Sequence, residues 1–129
     1  NGRSAQLRGA DSLSTADEAA DAAIDLAQKQ QCVVLVSGER DYITDGETLW
    51  CNDGGDPRQT RVTACGCALS ALVTAFCTIA PPLDAAASAS WLMKQAGSHA
   101  AQEAVGMGAF AVALLDALSH DAPYLQERV

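Results

Sequence analysis

Cys32-Val33-Val34-Leu35-Val36, then Ser37-Gly38-Glu39, then Asp41-Tyr42-Ile43-Thr44-Asp45-Gly46 is the stretch that decides the fold. A short unbroken apolar run of this kind marks a strand enclosed on both faces, as in a parallel sheet under helices. After it, Asp45-Gly46 separates two β-prone segments, Tyr42-Ile43-Thr44 and Thr48-Leu49-Trp50, which is the pattern of a hairpin. Upstream, Ala16, Ala19, Ala20, Ala23, Ile24 and Ala27 recur at helical spacing, and Thr15 with Glu18 fits a capping box at the start of that helix. A helix leading into a buried strand is an α/β unit. Residues 1–13 are polar and read as a loop.

Downstream, residues 51–61 form a polar loop carrying Gly54, Gly55 and Pro57. Helical spacing resumes from Ala68 to Ile79 and stops at Pro81-Pro82. A long helix over 83–104 follows, Gly106 and Gly108 break it, and a last helix covers 109–119. The order α-β-β-β-α-α-α contains one plainly buried strand, too few to close a doubly wound sheet. The chain opens on Asn1 and reads as part of a longer protein.

The bulk numbers narrow the function. Of 129 residues, 49% are hydrophobic, enough for a core, and alanine-rich helices pack closely. Sixteen acidic against eight basic residues give a net charge of −8. Such a surface repels nucleic-acid backbone and anionic lipid, so neither is an expected partner. The longest apolar stretch, Ala68 to Pro82, is too short to span a membrane. Five cysteines are an odd number, and Cys32, Cys67 and Cys77 lie in or beside apolar runs. That points to a reducing, cytoplasmic compartment, with Cys32 and Cys77 in the core. His99 and His120 fall on separate predicted helices, so no closed metal site is expected within the chain.

One segment has chemistry of its own. Val62-Thr63-Ala64-Cys65-Gly66-Cys67-Ala68 places small residues immediately before a helix. Backbone N–H groups converge in such a turn, and the helix N-terminus adds partial positive charge. Ala64, Cys65, Gly66 and Cys67 therefore read as an anion hole. Arg61 beside it is a candidate to help hold phosphate. Ser37-Gly38-Glu39 lies at the carboxyl end of the apolar strand, where open α/β sheets bind ligands.

Taken together these segments carry a resemblance. Val36-Ser37-Gly38-Glu39-Arg40-Asp41-Tyr42-Ile43-Thr44-Asp45-Gly46 resembles the V-T-G-E-x-D-Y-V-T-D-G segment of the hydroxyethylthiazole kinases. Gly54-Gly55-Asp56-Pro57 is similar to that family's G-H/D-P loop. Thr60 to Ala71 is similar to its T-K/R-V-x-G-T-G-C-A-L-S-A, and Trp91 to Gly97, Gly108-Ala109-Phe110 and Leu114 to Leu118 are similar to its last two helices. The likeness runs from about Gly9 to Leu118 in the family's order. It implies the carboxyl-terminal half of a single ribokinase-like α/β/α kinase domain, residues 1–129, in a homotrimer with interfacial active sites.

The implied reaction moves the γ-phosphoryl group of ATP, with Mg²⁺, to the primary hydroxyl of 4-methyl-5-(2-hydroxyethyl)thiazole in thiamin biosynthesis. By the same resemblance Ser37 stands at the ATP-contacting threonine, Ala64 at the substrate-contacting glycine, and Cys67 at the catalytic base. Ala64 and Cys65 depart from the family's Gly-Thr, Met107-Gly108-Ala109-Phe110 from its P-G-S-F, and Arg58-Gln59 from apolar residues. Two alternatives stand beside the thiazole kinase: a kinase of the same fold for another small alcohol, and a non-catalytic homologue.

Overall fold

The computed structural model describes residues 16–119. The cap expected at Thr15 and the histidine at position 120 lie outside them. Among the described residues the chain runs α1 (Ala16–Gln30), β1 (Val34–Val36), β2 (Asp41–Thr44), β3 (Leu49–Asn52), a 3₁₀ helix (Pro57–Arg61), α2 (Cys65–Phe76), α3 (Pro82–Glu103) and α4 (Met107–Ser119). Every element follows the expected order. Met107 and Gly108 belong to the first turn of α4 instead of separating the helices.

The three strands form a meander in the order β1-β2-β3, antiparallel throughout. Val34 pairs with Thr44 and Val36 with Tyr42; Thr44 pairs with Leu49 and Asp41 with Asn52. The apolar run at 32–36 had suggested a strand enclosed on both faces in a parallel sheet. Here it is half-buried at the edge of an antiparallel pair, and Cys32, before the strand, is exposed. The enclosed strand is β2, buried at all four positions. Successive side chains of a strand point to opposite faces, so complete burial requires cover on both sides. The helices α1 and α3 supply it.

Asp41 and Ile43 face α3, where Ser90 donates to the Asp41 carboxylate at 2.8 Å. Tyr42 and Thr44 therefore face α1, whose Ala20, Ala23 and Ala27 are buried. Small residues let this helix lie close. Gly46, with φ +96°, sits directly under Gln28, whose side-chain amide donates to the Gly46 carbonyl at 2.7 Å. The β2–β3 hairpin was expected from Asp45-Gly46. Its loop spans four residues, closed by Asp45 Oδ1 accepting from the N–H groups of Glu47 and Thr48.

A second core lies between the helices. Leu69 of α2, Ala89, Met93, Ala96 and Ala100 of α3, and Phe110, Leu114 and Ala117 of α4 form one buried cluster. Cys77 is exposed in the turn that ends α2, contrary to its expected place in the core, because the apolar run it continues leaves the helix there. No helix among the described residues is long and apolar enough to cross a membrane.

Candidate active site

Ala64, Cys65, Gly66 and Cys67 make the entry to α2. Ala64 is the N-cap residue and has φ +66° and ψ +14°, the left-handed conformation. For an alanine this costs about 1 kcal/mol, which glycine would not pay. The Cys65 N–H is turned to the Val62 carbonyl at 3.3 Å, and the Ala64 carbonyl accepts from the N–H of Ala68 at 2.9 Å. The N–H groups of Gly66 and Cys67 have no acceptor among the described residues and sit at the positive end of the helix.

The two cysteines differ sharply in setting. Cys67 is exposed on the first turn. Cys65 is half-buried against the helical core, and burial, aided by the Asp41 carboxylate, pushes its thiol above the usual range. Cys65 stays neutral and protonated at neutral pH.

The turn opens into a cleft of about 580 Å³ between the 61–65 segment and α4. Arg61, Thr63, Ala64 and Cys65 form one wall, and Met107, Gly108 and Ala111 the other, over a floor that includes Met93 and Leu114. A polar rim above an apolar floor suits a small, largely apolar molecule with one polar end. Arg61 is exposed at this rim and makes no ion pair among the described residues. Ser37 is exposed on the β1–β2 turn and does not line the cleft.

Arg58 and Gln59, the polar departures in the loop, hold the site from behind. Arg58 pairs with Asp56, donates to the carbonyls of Ala101 at 3.1 Å and Ala104 at 3.0 Å, and lies 4.6 Å from the centre of the Phe110 ring. It closes the carboxyl end of α3. The Gln59 side chain runs between Gly55 and Gly97, donating to Met93 O and accepting from Asp56 N–H, both at 3.0 Å. Neither side chain points into the cleft's lining.

One group went unnoticed in the sequence. Lys94, alone among the alanines of α3, is buried beside Asp41. Its spacing to Ser90 and Gly97, one turn away on each side, was the available signal.

The fold and this turn coincide with one family. A profile described as "HK: Hydroxyethylthiazole kinase family" matches residues 1–122. The chain belongs to the hydroxyethylthiazole kinase family. It is 48% identical over 120 residues to a protein named hydroxyethylthiazole kinase from Tolumonas auensis, covering 91% of this chain and 45% of that protein. A similarly named protein of Citrobacter koseri is 48% identical over 120 residues, with 92% and 46% covered. A solved structure titled hydroxyethylthiazole kinase protein, from Pyrococcus horikoshii OT3, superposes with a TM-score of 0.81 at 31% identity, covering 88% of this chain and 44% of that one. The chain thus spans somewhat under half the length of these kinase relatives.

Proposed function

We propose that the protein containing this chain transfers the γ-phosphoryl group of ATP to the primary hydroxyl of 4-methyl-5-(2-hydroxyethyl)thiazole, the chain being the carboxyl-terminal part of one ribokinase-like domain. The observation that carries the reading is the α2 entry. A left-handed turn at Ala64 sets two uncommitted amides beside an exposed thiol, directly after Ala64 and Cys65, which line a cleft of suitable size. Phosphoryl transfer asks a protein chiefly for positioning and charge stabilisation. The amides of Gly66 and Cys67 hold the oxygens of the group in transfer, with Arg61 adding positive charge. Cys67 takes the proton of the attacking hydroxyl, and the neutral Cys65 beside it takes no part in that transfer. Ala64 shapes the substrate wall, and Ser37 meets the nucleotide.

ATP brings Mg²⁺ in such reactions, held as a rule by one or two carboxylates together with the phosphates. The described residues bring no three His, Cys, Asp or Glu side chains together as a metal site. Asp41, whose charge reaches Cys65, is taken up by Gly38 N–H, Ser90 and Lys94. No step is assigned to the ion. The reading carries a cytoplasmic homotrimer with interfacial sites. Leu115, 62% exposed on the α4 side of the cleft, is the kind of apolar surface that a neighbouring subunit would cover.

The test is thiazole-dependent ADP release by the full-length protein and its Cys67→Ala variant. Turnover by the parent, with kcat in the variant lowered about 10²-fold or more and KM nearly unchanged, is expected for loss of a general base. No thiazole-dependent turnover would sink the activity, and a variant within a few-fold of the parent would sink the role of Cys67.

A further inference from the structure

The Ser37-Gly38-Glu39 turn and the Gly54-Gly55 loop converge on one buried cation. Lys94 is 6% exposed. Its Nζ donates to the carbonyl of Gly38 at 2.6 Å and to that of Glu39 at 2.9 Å, and lies 3.2 Å from Asp41 Oδ1. An ammonium has three protons to give, and here two go to carbonyls while the Asp41 carboxylate lies within ion-pair distance. Asp41 completes the clasp: Oδ1 accepts from Gly38 N–H at 2.9 Å, and Oδ2 from Ser90. Asn52 of β3 in turn donates to Ser90 Oγ at 2.8 Å. The glycine loop lies over the lysine stem, where a Cβ at Gly55 would come within 3.1 Å of Lys94 Cδ.

The consequence follows from the planarity of the peptide. In a trans peptide the C=O and the next N–H point in opposite directions. Lys94 draws the carbonyls of Gly38 and Glu39 inward, so the N–H groups of Glu39 and Arg40 face outward. Neither has an acceptor among the described residues. Arg40 is fastened from the far side as well, its guanidinium donating to Asp53 at 2.6 and 3.0 Å. Two adjacent outward amides beside the Ser37 hydroxyl are a concave set of donors of the kind that binds phosphate oxygens.

We infer that Lys94 is a positioning residue for nucleotide. Without touching the ligand, it turns the amides of Glu39 and Arg40 toward the phosphates that Ser37 meets. The inference rests on the reading of Ser37 as a nucleotide contact. It gives a cation in an acidic protein a purpose that core packing alone would not require, since an alkyl side chain would fill the same space.

The experiment measures ADP binding by the full-length protein, its Lys94→Met and Lys94→Arg variants, and ADP-induced shifts of the backbone amides of Glu39 and Arg40. In Lys94→Met, ADP affinity and KM for ATP should weaken about 10- to 100-fold, while KM for the thiazole stays within a few-fold. Lys94→Arg, which can still donate to two carbonyls, should recover part of the loss. In the parent both amides should shift on ADP addition. Methionine and arginine variants that keep the parent's affinity would overturn the role of Lys94 while leaving the nucleotide reading intact. No ADP binding by the parent would overturn that reading, and this inference with it. Should the methionine variant fail to fold, the parent's amides decide: unmoved signals refute the inference, and shifted ones support it.

Discussion

Replacing Gly97 with alanine should destabilise the protein, and the same replacement should stabilise it once Gln59 is gone. Gly97 is buried in the middle of α3, and a Cβ there would overlap the Gln59 carboxamide. To make room, Gln59 must give up its bond to Met93 O and the one it accepts from Asp56 N–H, both at 3.0 Å. Each is worth about 1 kcal/mol, so eviction costs about 2 kcal/mol. Alanine repays about 1 kcal/mol through its better helix propensity. Gly97→Ala should therefore lose about 1 kcal/mol net. Gln59→Ala alone should lose about 2 kcal/mol, and adding Gly97→Ala to it should recover about 1 kcal/mol, because nothing remains to clash. The coupling between the sites is then about 2 kcal/mol. Urea unfolding of the four proteins, fitted with a common slope, measures it. A Gly97→Ala effect of one sign in both backgrounds would refute the packing described for Gln59.

Three other outcomes follow from the same geometry. Ala64→Gly with Cys65→Thr should raise kcat/KM, since glycine holds the left-handed turn without strain; steady-state kinetics showing no gain or a loss would mean that the turn already works as it stands. Under limited iodoacetamide, with sites read by mass spectrometry, Cys32, Cys51, Cys67 and Cys77 should label before Cys65, whose burial both shields the thiol and raises its pKa; early labelling of Cys65 would contradict its setting. Hydrogen bonding from Arg58 holds the Asp56 carboxyl below the usual carboxylate range, so its contribution to stability is present above that range and lost as pH falls through the lowered value. Arg58→Leu should then move the acid-unfolding midpoint to higher pH, and an unmoved midpoint would show the pair to be idle.

Much of the fold was legible because its signals are local. The alanine spacing of α1, the turn residues at Asp45-Gly46 and the Pro81-Pro82 stop each act within a few residues, and each element appears where that chemistry puts it. Strand pairing is not local. Cys32 to Val36 has the composition of an enclosed strand, yet what encloses a strand is decided by where the helices before and after it come to pack. Those helices cover β2, whose Asp41 and Thr44 disguise it as a surface strand. The α2 entry was readable for a similar reason: small residues before a helix dictate a tight turn whatever surrounds them. That Ala64 adopts a positive φ is a demand of the turn, which sequence can mark but not measure. Lys94 was hidden because a single lysine on a helix is ordinarily solvated. Only the arrival of two carbonyls and a carboxylate from β2 and its turn makes burial possible.

The helix α3 receives the loops along one stripe. Asn52 reaches Ala87 O and Ser90, Gln59 reaches Met93 O, and the Gly38 and Glu39 carbonyls reach Lys94. Gly55 N–H reaches Ser98, and Arg58 reaches the carbonyls of Ala101 and Ala104. Apart from the adjacent Met93 and Lys94, these stations recur every three or four residues, so they share one side of the helix. Inserting or deleting a single residue within the stripe would swing every later station by about 100° and unfasten all the loops beyond it at once. Substitutions on the opposite side touch none of them. The length of α3 between positions 87 and 104 should therefore tolerate no drift among functional relatives.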